Sequence, residues 1–219
     1  MIIGFIHNAA LLVTLVVIHE AATRAVGGQR GLFRFASGLL FGLMSVLVMM
    51  TPVAFAPGVI YDGRSIVLTL AGLFGGPVPA AIAAIIASAF RLQLGGAGAL
   101  VGVGVVIESA ALGVAVHQLR RRDERWTGPL RLLALGVLVH AIMLAIQLGL
   151  PGGAGWTVVR EIGPAVMIGF PLTFLLAAAV FLEGERRRNA ARHLAHSENR
   201  YRSLFENNHA VMLLIDPAD

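Results

Sequence analysis

Long apolar runs, one of them interrupted by glycine and proline, most constrain what this chain can fold into. Six runs lie at about 2–19, 34–55, 65–90, 98–118, 131–149 and 162–182. A helix needs roughly 20 apolar residues to cross the hydrocarbon core of a bilayer, and every run except 65–90 has about that length. The 219-residue chain is 57% hydrophobic and only 13% charged. These features predict an all-α polytopic membrane protein.

The charged residues between the runs indicate the orientation of the chain. All 17 basic residues are Arg, and they cluster in 20–34, in 119–131 and after residue 182, whereas 56–64 and 151–161 hold one Arg each. Cytoplasmic loops of membrane proteins carry the excess of basic residues. The pattern therefore predicts a multi-pass membrane protein with the Arg clusters and the C-terminus in the cytoplasm.

The composition also restricts the chemistry. The chain has no Cys, which removes disulfides, thiolate metal sites and Cys nucleophiles. The sequence contains no His-Glu-x-x-His motif and no Ser, His and Asp set at a plausible depth in the predicted spans. We therefore expect no metal, no cofactor and no catalytic residue in this chain. The Arg residues do not form a basic face on a soluble domain, so we expect no nucleic-acid partner.

The run 65–90 needs a different structure from the other runs. Residue 60 is predicted outside and residue 121 inside, so the chain crosses an odd number of times between them, yet two apolar runs lie there. The stretch GLFGGPVPA in the first of these runs disfavours a straight helix. Its halves, of about ten and fourteen residues, are each too short to span. A broken, re-entrant helical hairpin beside five full spans restores the parity, and a single kinked span is the alternative.

Three motifs in this region carry a resemblance to one family. They are Asp62-Gly63-Arg64, Gly75-Gly76-Pro77, and Arg91 followed by Gly95, Gly96 and Gly98. Over about 30–182 the chain resembles the five-transmembrane receptor domain of the LytS–YhcK type (5TMR-LYT). The resemblance implies a sensor in a bacterial plasma membrane, joined to a sensor histidine kinase of a two-component system or to a diguanylate cyclase, with a pyruvate-like carboxylate as ligand. More distantly, the region is similar to substrate-binding subunits of vitamin transporters.

Arg64 and Arg91 are the main candidates for ligand binding. In the hairpin both face the outer half of the bundle, beside Gly95 and Gly96, which lead into the next helix. Arg stays charged, and its planar fork fits a carboxylate, while a helix N-terminus offers backbone N–H groups to an anion. Asp62 either orients Arg64 or caps the following helix. The alternative is that both Arg side chains are interfacial anchors.

Three more polar residues are assigned to the same cavity. Glu108 lies inside a predicted span, where an ionisable group usually has a partner; Arg91, His140 or a bound proton are the alternatives. Ser109 lines the cavity or bonds its own helix backbone. Asn8, near the outer end of the first run, lines the cavity or forms a helix-packing hydrogen bond.

The chain changes character after the last apolar run. We predict a receptor domain over 1–183, a polar cytoplasmic signalling helix over 184–204 and the start of a truncated PAS domain over 205–219, which SENRYRSLFENNHAVMLLIDPAD resembles. A 4-3-4-3 spacing in the helix predicts a short parallel coiled coil, and hence a homodimer. The residues of that seam are Ala190, Leu194, Ser197, Tyr201 and Leu204.

Two functions follow from these features. The first is a sensor that binds a small carboxylate outside and relays the signal through the last span, kinked at Pro164 and Pro171, to a PAS-linked output. The second is the substrate-binding membrane component of a vitamin-type transporter, which the PAS-like start disfavours. Arg160 and Glu161 are expected to begin the last span and to pair with each other or cap it. The expected partners are the lipid bilayer, the carboxylate and a second copy of the chain.

Overall fold

The computed structural model describes Thr14, Ile18 and residues 30–50, 53–56 and 59–206. Thr14 and Ile18 have helical backbone and exposed side chains; the rest of the predicted first span, 2–19, and Asn8 within it lie outside the described residues. The longer described ranges contain the helices α1 (Arg30–Met50), α2 (Arg64–Leu70), α3 (Pro77–Leu94), α4 (Ala99–Arg120), α5 (Pro129–Gln147) and α6 (Ala154–Glu206), and the strands β1 (Val53–Ala56) and β2 (Val59–Tyr61).

Five of the described helices are long and apolar enough to cross a membrane: α1, α3, α4, α5 and α6. Their outward surfaces carry large apolar side chains, such as Leu100 and Leu176, which are 78% and 69% exposed. Such surfaces are stable against lipid rather than water, and each helix satisfies its own backbone hydrogen bonds. The predicted all-α polytopic membrane fold is confirmed.

The interruption in the 65–90 run divides it into two helical arms. The first arm is α2 followed by a π-helical turn, Ala71–Gly75. The chain then breaks at Gly76, whose φ of 82° favours glycine. The second arm, α3, begins with Pro77 at its first position, where proline fits a helix because no backbone donor is needed there.

The predicted length of the second arm was wrong. We expected about fourteen residues, too short to span, but α3 has 18 residues and meets the length and hydropathy needed to cross. The difference lies at the C-terminal end, where the helix continues past residue 90, through Arg91 to Leu94. The two ends of the hairpin lie close together, because Arg91 interacts electrostatically with Asp62 and Arg64.

Glycines bring the hairpin close to its neighbours. A Cβ on Gly38 or Gly42 of α1 would collide with Ile82 or Ile86 of α3, at 2.7 and 2.6 Å. On the other side, a Cβ on Gly72 would lie 2.6 Å from the backbone nitrogen of Val114 in α4. Small residues allow such close helix contact inside a bilayer. The hairpin is therefore packed closely against α1 on one side and against α4 on the other.

Two other segments differ from the sequence prediction. Part of the predicted outer loop at 56–64 belongs to an antiparallel pairing of β1 with β2, in which Val53 pairs with Tyr61. The last span starts earlier than expected, because α6 begins at Ala154. Arg160 and Glu161 thus lie within α6 rather than at its start, and both are exposed, with no ion pair between them in the described structure. Pro164 and Pro171 lie inside the helix as predicted.

The chain divides into two compact units, Met1–Phe181 and Leu182–Asp219. In the second unit the described residues, 182–206, are helical, and Leu194 and Tyr201 are 71% and 63% exposed. The predicted coiled coil and homodimer stay predictions. The proposed PAS start, 205–219, lies outside the described residues except for the last two residues of α6.

Candidate functional site

Asp62 and Arg64 form a buried ion pair where the chain enters the hairpin. The Nε of Arg64 lies 3.3 Å from Oδ1 of Asp62, and the backbone N–H of Arg64 donates to the same oxygen at 3.0 Å. One carboxylate oxygen therefore both orients the Arg64 side chain and bonds the first turn of α2, which were the two alternatives for Asp62. Burial raises the pKa of the Asp62 carboxyl, while Arg64 and Arg91 act in the opposite direction.

The guanidinium of Arg64 has weak partners apart from Asp62. Its Nη1 donates to the thioether sulfur of Met49 at 3.2 Å, and a thioether is a poor acceptor. Among the described residues no second carboxylate or carbonyl accepts from this guanidinium. A guanidinium has five N–H donors, so most of those on Arg64 are available to a ligand or to water.

Arg91 returns to the same place from the other end of the hairpin. It is only 2% exposed and interacts electrostatically with both Asp62 and Arg64. Its Nη1 donates to the carbonyl of Gly95 at 2.7 Å, and its Cγ and Cδ would each lie 3.0 Å from a Cβ on Gly102. The structure therefore brings the two predicted Arg residues together, although 27 positions separate them in the sequence.

Gly95 and Gly96 form the turn from α3 to α4. Their φ angles are 67° and 86°, which glycine adopts without strain. Arg91 binds the carbonyl of Gly95, so it also fixes this turn. The contact between Arg91 and this turn is made through a carbonyl oxygen, and the predicted role of its backbone N–H groups in binding an anion stays a prediction.

Asp62, Arg64 and Arg91 form a polar cluster. Ser65, which follows Arg64 in the chain, and His140 extend it, and the sequence analysis did not assign them to it. The side chains of both are 1% exposed, and Ser65 Oγ lies 3.1 Å from Nε2 of His140. The Nδ1 of His140 lies 2.7 Å from the carbonyl of Gly136, so Nδ1 carries the proton and the neutral ring accepts from Ser65 through Nε2. The hydroxyl–imidazole pair resembles that of hydrolases, but a backbone carbonyl stands where those enzymes place a carboxylate.

Glu108 and Ser109 do not join this cluster through hydrogen bonds. Ser109 Oγ donates to Oε2 of Glu108 at 3.1 Å, so Ser109 bonds a side chain rather than its helix backbone. In the described part of the chain, neither Arg91 nor His140 hydrogen-bonds to Glu108, and its Oε1 is buried without a partner. Asn8 lies outside the described residues.

At the other end of the hairpin, the π-helical turn contacts α4 and α6. His117 Nδ1 donates to the carbonyl of Leu73 at 2.9 Å. The ring of Phe74 stacks on Phe181 of α6 with centroids 4.9 Å apart, and the guanidinium carbon of Arg120 lies 5.2 Å from the centre of the Phe74 ring. The hairpin tip is therefore joined to α6, the last span. It is also joined to α4 at His117, three residues before the end of that helix.

Comparison with known proteins agrees with this architecture. A family model described as 5TMR of 5TMR-LYT matches residues 28–183, more than two thirds of the chain. The chain belongs to the 5TMR-LYT family. No curated protein and no solved structure matches it.

Membership of the 5TMR-LYT family places the receptor domain on α1 to α5 and the membrane part of α6. The matched range contains all three motifs that predicted it, and it contains Asp62, Arg64 and Arg91. The chain is thus a multi-pass membrane protein with a five-transmembrane receptor domain, the kind of domain that serves as the membrane sensor of signalling proteins.

Proposed function

We propose that this 5TMR-LYT domain is a receptor for a small carboxylate, which binds between Arg64 and Arg91 on the outer side of the membrane. The observation that carries the proposal is the convergence of two buried guanidinium groups from opposite ends of one hairpin. Like charges are buried side by side only where an anion or a carboxylate compensates them. Asp62 compensates one of the two positive charges, and the ligand compensates the other.

The relay to the output runs through contacts between the hairpin and α6. Near the site, His140 accepts from Ser65 and stacks on Phe170 of α6 with ring centroids 5.2 Å apart. At the hairpin tip, Phe74 stacks on Phe181. A ligand that draws Arg64 and Arg91 together shifts the two arms, and both contacts pass this shift to α6. Signalling requires that the ligand prefers one of the two conformations, and a tenfold preference corresponds to about 1.4 kcal/mol.

We also propose an output for the full protein, and the helical second unit and the family support it. The helix after residue 181 leads toward a PAS-like segment, and we propose that it pairs with the same helix of a second copy through Leu194 and Tyr201, which are exposed. In this arrangement the PAS module passes the signal to a histidine kinase or a diguanylate cyclase, and the C-terminus is cytoplasmic.

Calorimetric titration of the purified protein in nanodiscs with pyruvate, lactate and propionate tests the receptor. We expect saturable binding of at least one acid, and at least about a tenfold loss of affinity in Arg64→Ala and in Arg91→Ala, because each removes a charged hydrogen-bond donor. Arg122→Ala is the matched control, because Arg122 is exposed. Parent-like binding by both site variants would show that these Arg residues are structural anchors. Saturable, coupled flux of the same acid into proteoliposomes would instead favour a transporter.

A further inference from the structure

One oxygen of the Asp62 carboxylate has no hydrogen-bond partner among the described residues. Oδ1 accepts from both the backbone N–H and the Nε of Arg64, but Oδ2 is buried and no described residue donates to it. The residue as a whole is 4% exposed. A buried carboxylate oxygen without a donor is costly, and native structures normally supply one.

The hydroxyl groups closest in the sequence are already engaged. Ser65 donates to Nε2 of His140, and Thr69 donates to the carbonyl of Ser65 at 2.7 Å. Ser65 cannot satisfy Oδ2 without leaving Nε2 of His140 unsatisfied, and the hydroxyl of Thr69 is directed at the carbonyl four residues earlier in its helix. A donor brought by the ligand would satisfy Oδ2 without this loss.

The charge of the cluster limits what else the ligand can carry. Among the described residues of the cluster, Arg64 and Arg91 contribute two positive charges and Asp62 one negative charge, while His140 makes the contacts of a neutral ring. The remaining single positive charge matches a monocarboxylate. A dicarboxylate would add an uncompensated buried negative charge, and an amino acid would place an ammonium beside two guanidinium groups. The donor is therefore a neutral hydroxyl.

We propose that the ligand is a 2-hydroxy monocarboxylate, whose carboxylate is bound by Arg64 and Arg91 and whose hydroxyl donates to Oδ2 of Asp62. This deepens the proposed function and rests on it. The three groups hold the carboxylate and the hydroxyl in fixed positions.

Four acids of similar size test the proposal by calorimetry on the full chain in nanodiscs: D-lactate, L-lactate, pyruvate and propionate. One lactate enantiomer is expected to bind at least about tenfold more tightly than propionate, which lacks the hydroxyl, and than pyruvate, which offers only an acceptor. In Asp62→Asn the amide nitrogen can occupy the position of Oδ2 and reverse the hydrogen bond, so the advantage of lactate over pyruvate should be lost. Asp123→Asn, at an exposed carboxylate, is the control.

The outcomes separate this inference from the proposed function. If the acids bind with equal affinity and binding still depends on Arg64 and Arg91, the receptor stands and the hydroxyl inference is wrong, with water as the donor to Oδ2. If none of the acids binds, both are wrong. If Asp62→Asn does not fold, the ranking of the four acids on the parent protein alone decides the inference.

Discussion

The ring of Phe74 stacks on the ring of Phe181 with centroids 4.9 Å apart and an interplanar angle of 15°. Phe74 lies in the π-helical turn at the tip of the hairpin, and Phe181 is the last residue of the first compact unit. π-helical turns inside helices occur frequently at functional sites. This contact therefore joins the segment that carries both site Arg residues to the helix that leads out of the membrane.

Phe74→Leu should uncouple binding from the movement of α6. We expect ligand affinity within about twofold of the parent, because Phe74 lies at the opposite end of the hairpin from the site, but loss of the ligand-induced change at Phe181. The measurement is the distance between spin labels at Arg34→Cys and Val180→Cys, both exposed positions in a chain without native Cys.

The matched control for this experiment is Phe41→Leu. Phe41 also stacks on Phe181, with ring centroids 6.0 Å apart, but belongs to α1 rather than to the hairpin. The control should keep the ligand-induced change in distance. A full response in the Phe74 variant would show that the signal reaches α6 by another contact, such as the one between His140 and Phe170.

Arg64→Lys should bind the ligand nearly as poorly as Arg64→Ala. Lys keeps the charge, but its ammonium lacks the planar fork that can donate to Asp62 and to a carboxylate at once. We expect a loss of about tenfold or more in affinity by calorimetry. Arg121→Lys, at an exposed position, should bind like the parent. Normal affinity in Arg64→Lys would mean that only the charge at this position matters.

Acidification should reduce the preference for lactate over propionate. Protonation of Asp62 places a proton on Oδ2, which then no longer accepts the hydrogen bond from the ligand hydroxyl. Because burial raises the pKa of Asp62, this loss should begin at a higher pH than for an ordinary Asp, whose pKa is about 3.9. The affinity ratio is measured at about pH 7 and about pH 5. In Asp62→Asn the ratio should not change with pH, and an unchanged ratio in the parent would argue against hydroxyl recognition by Asp62.

Gly113→Ala should destabilise the domain by about 1–3 kcal/mol, because overpacking forces the backbone to shift. A Cβ at this position would collide with the carbonyl of Thr69 and lie 3.0 Å from the Cα of Gly72. The same change at Gly104 of α4 is the control, since its Cβ would meet only Ile146 Cγ2, at 3.4 Å. Thermal unfolding in one detergent should show a lower midpoint for Gly113→Ala, and equal midpoints would mean that the hairpin is not packed tightly on α4.

The sequence predicted those parts of the fold that depend on local patterns. Run length predicted α1, α4, α5 and the membrane part of α6, and the Gly-Gly-Pro stretch predicted the break at Gly76. The length of α3 was missed because the apolar run ends at residue 90, whereas the helix continues through Arg91 to Leu94. The pairing of β1 with β2 was missed because a few residues between two spans carry little strand signal.

The site was predicted in part for the same reason. Asp62, Arg64 and Arg91 stand in recognisable motifs, and the hairpin brings them together. Ser65 and His140 carry no local signal, because 75 positions separate them and either is compatible with an ordinary helix. Glu108 stood out as an ionisable group in a span, but the side chain that contacts it, Ser109, is its neighbour in the chain.

The unequal arms of the hairpin bear on how the protein enters the bilayer during synthesis. The first arm, Arg64–Gly75, is too short to count as a span by itself, whereas the second is long enough. An insertion machinery that recognises apolar length would not release the first arm into lipid until the second had emerged from the ribosome. Arg64 would then enter the membrane together with Arg91, and with Asp62 already beside it.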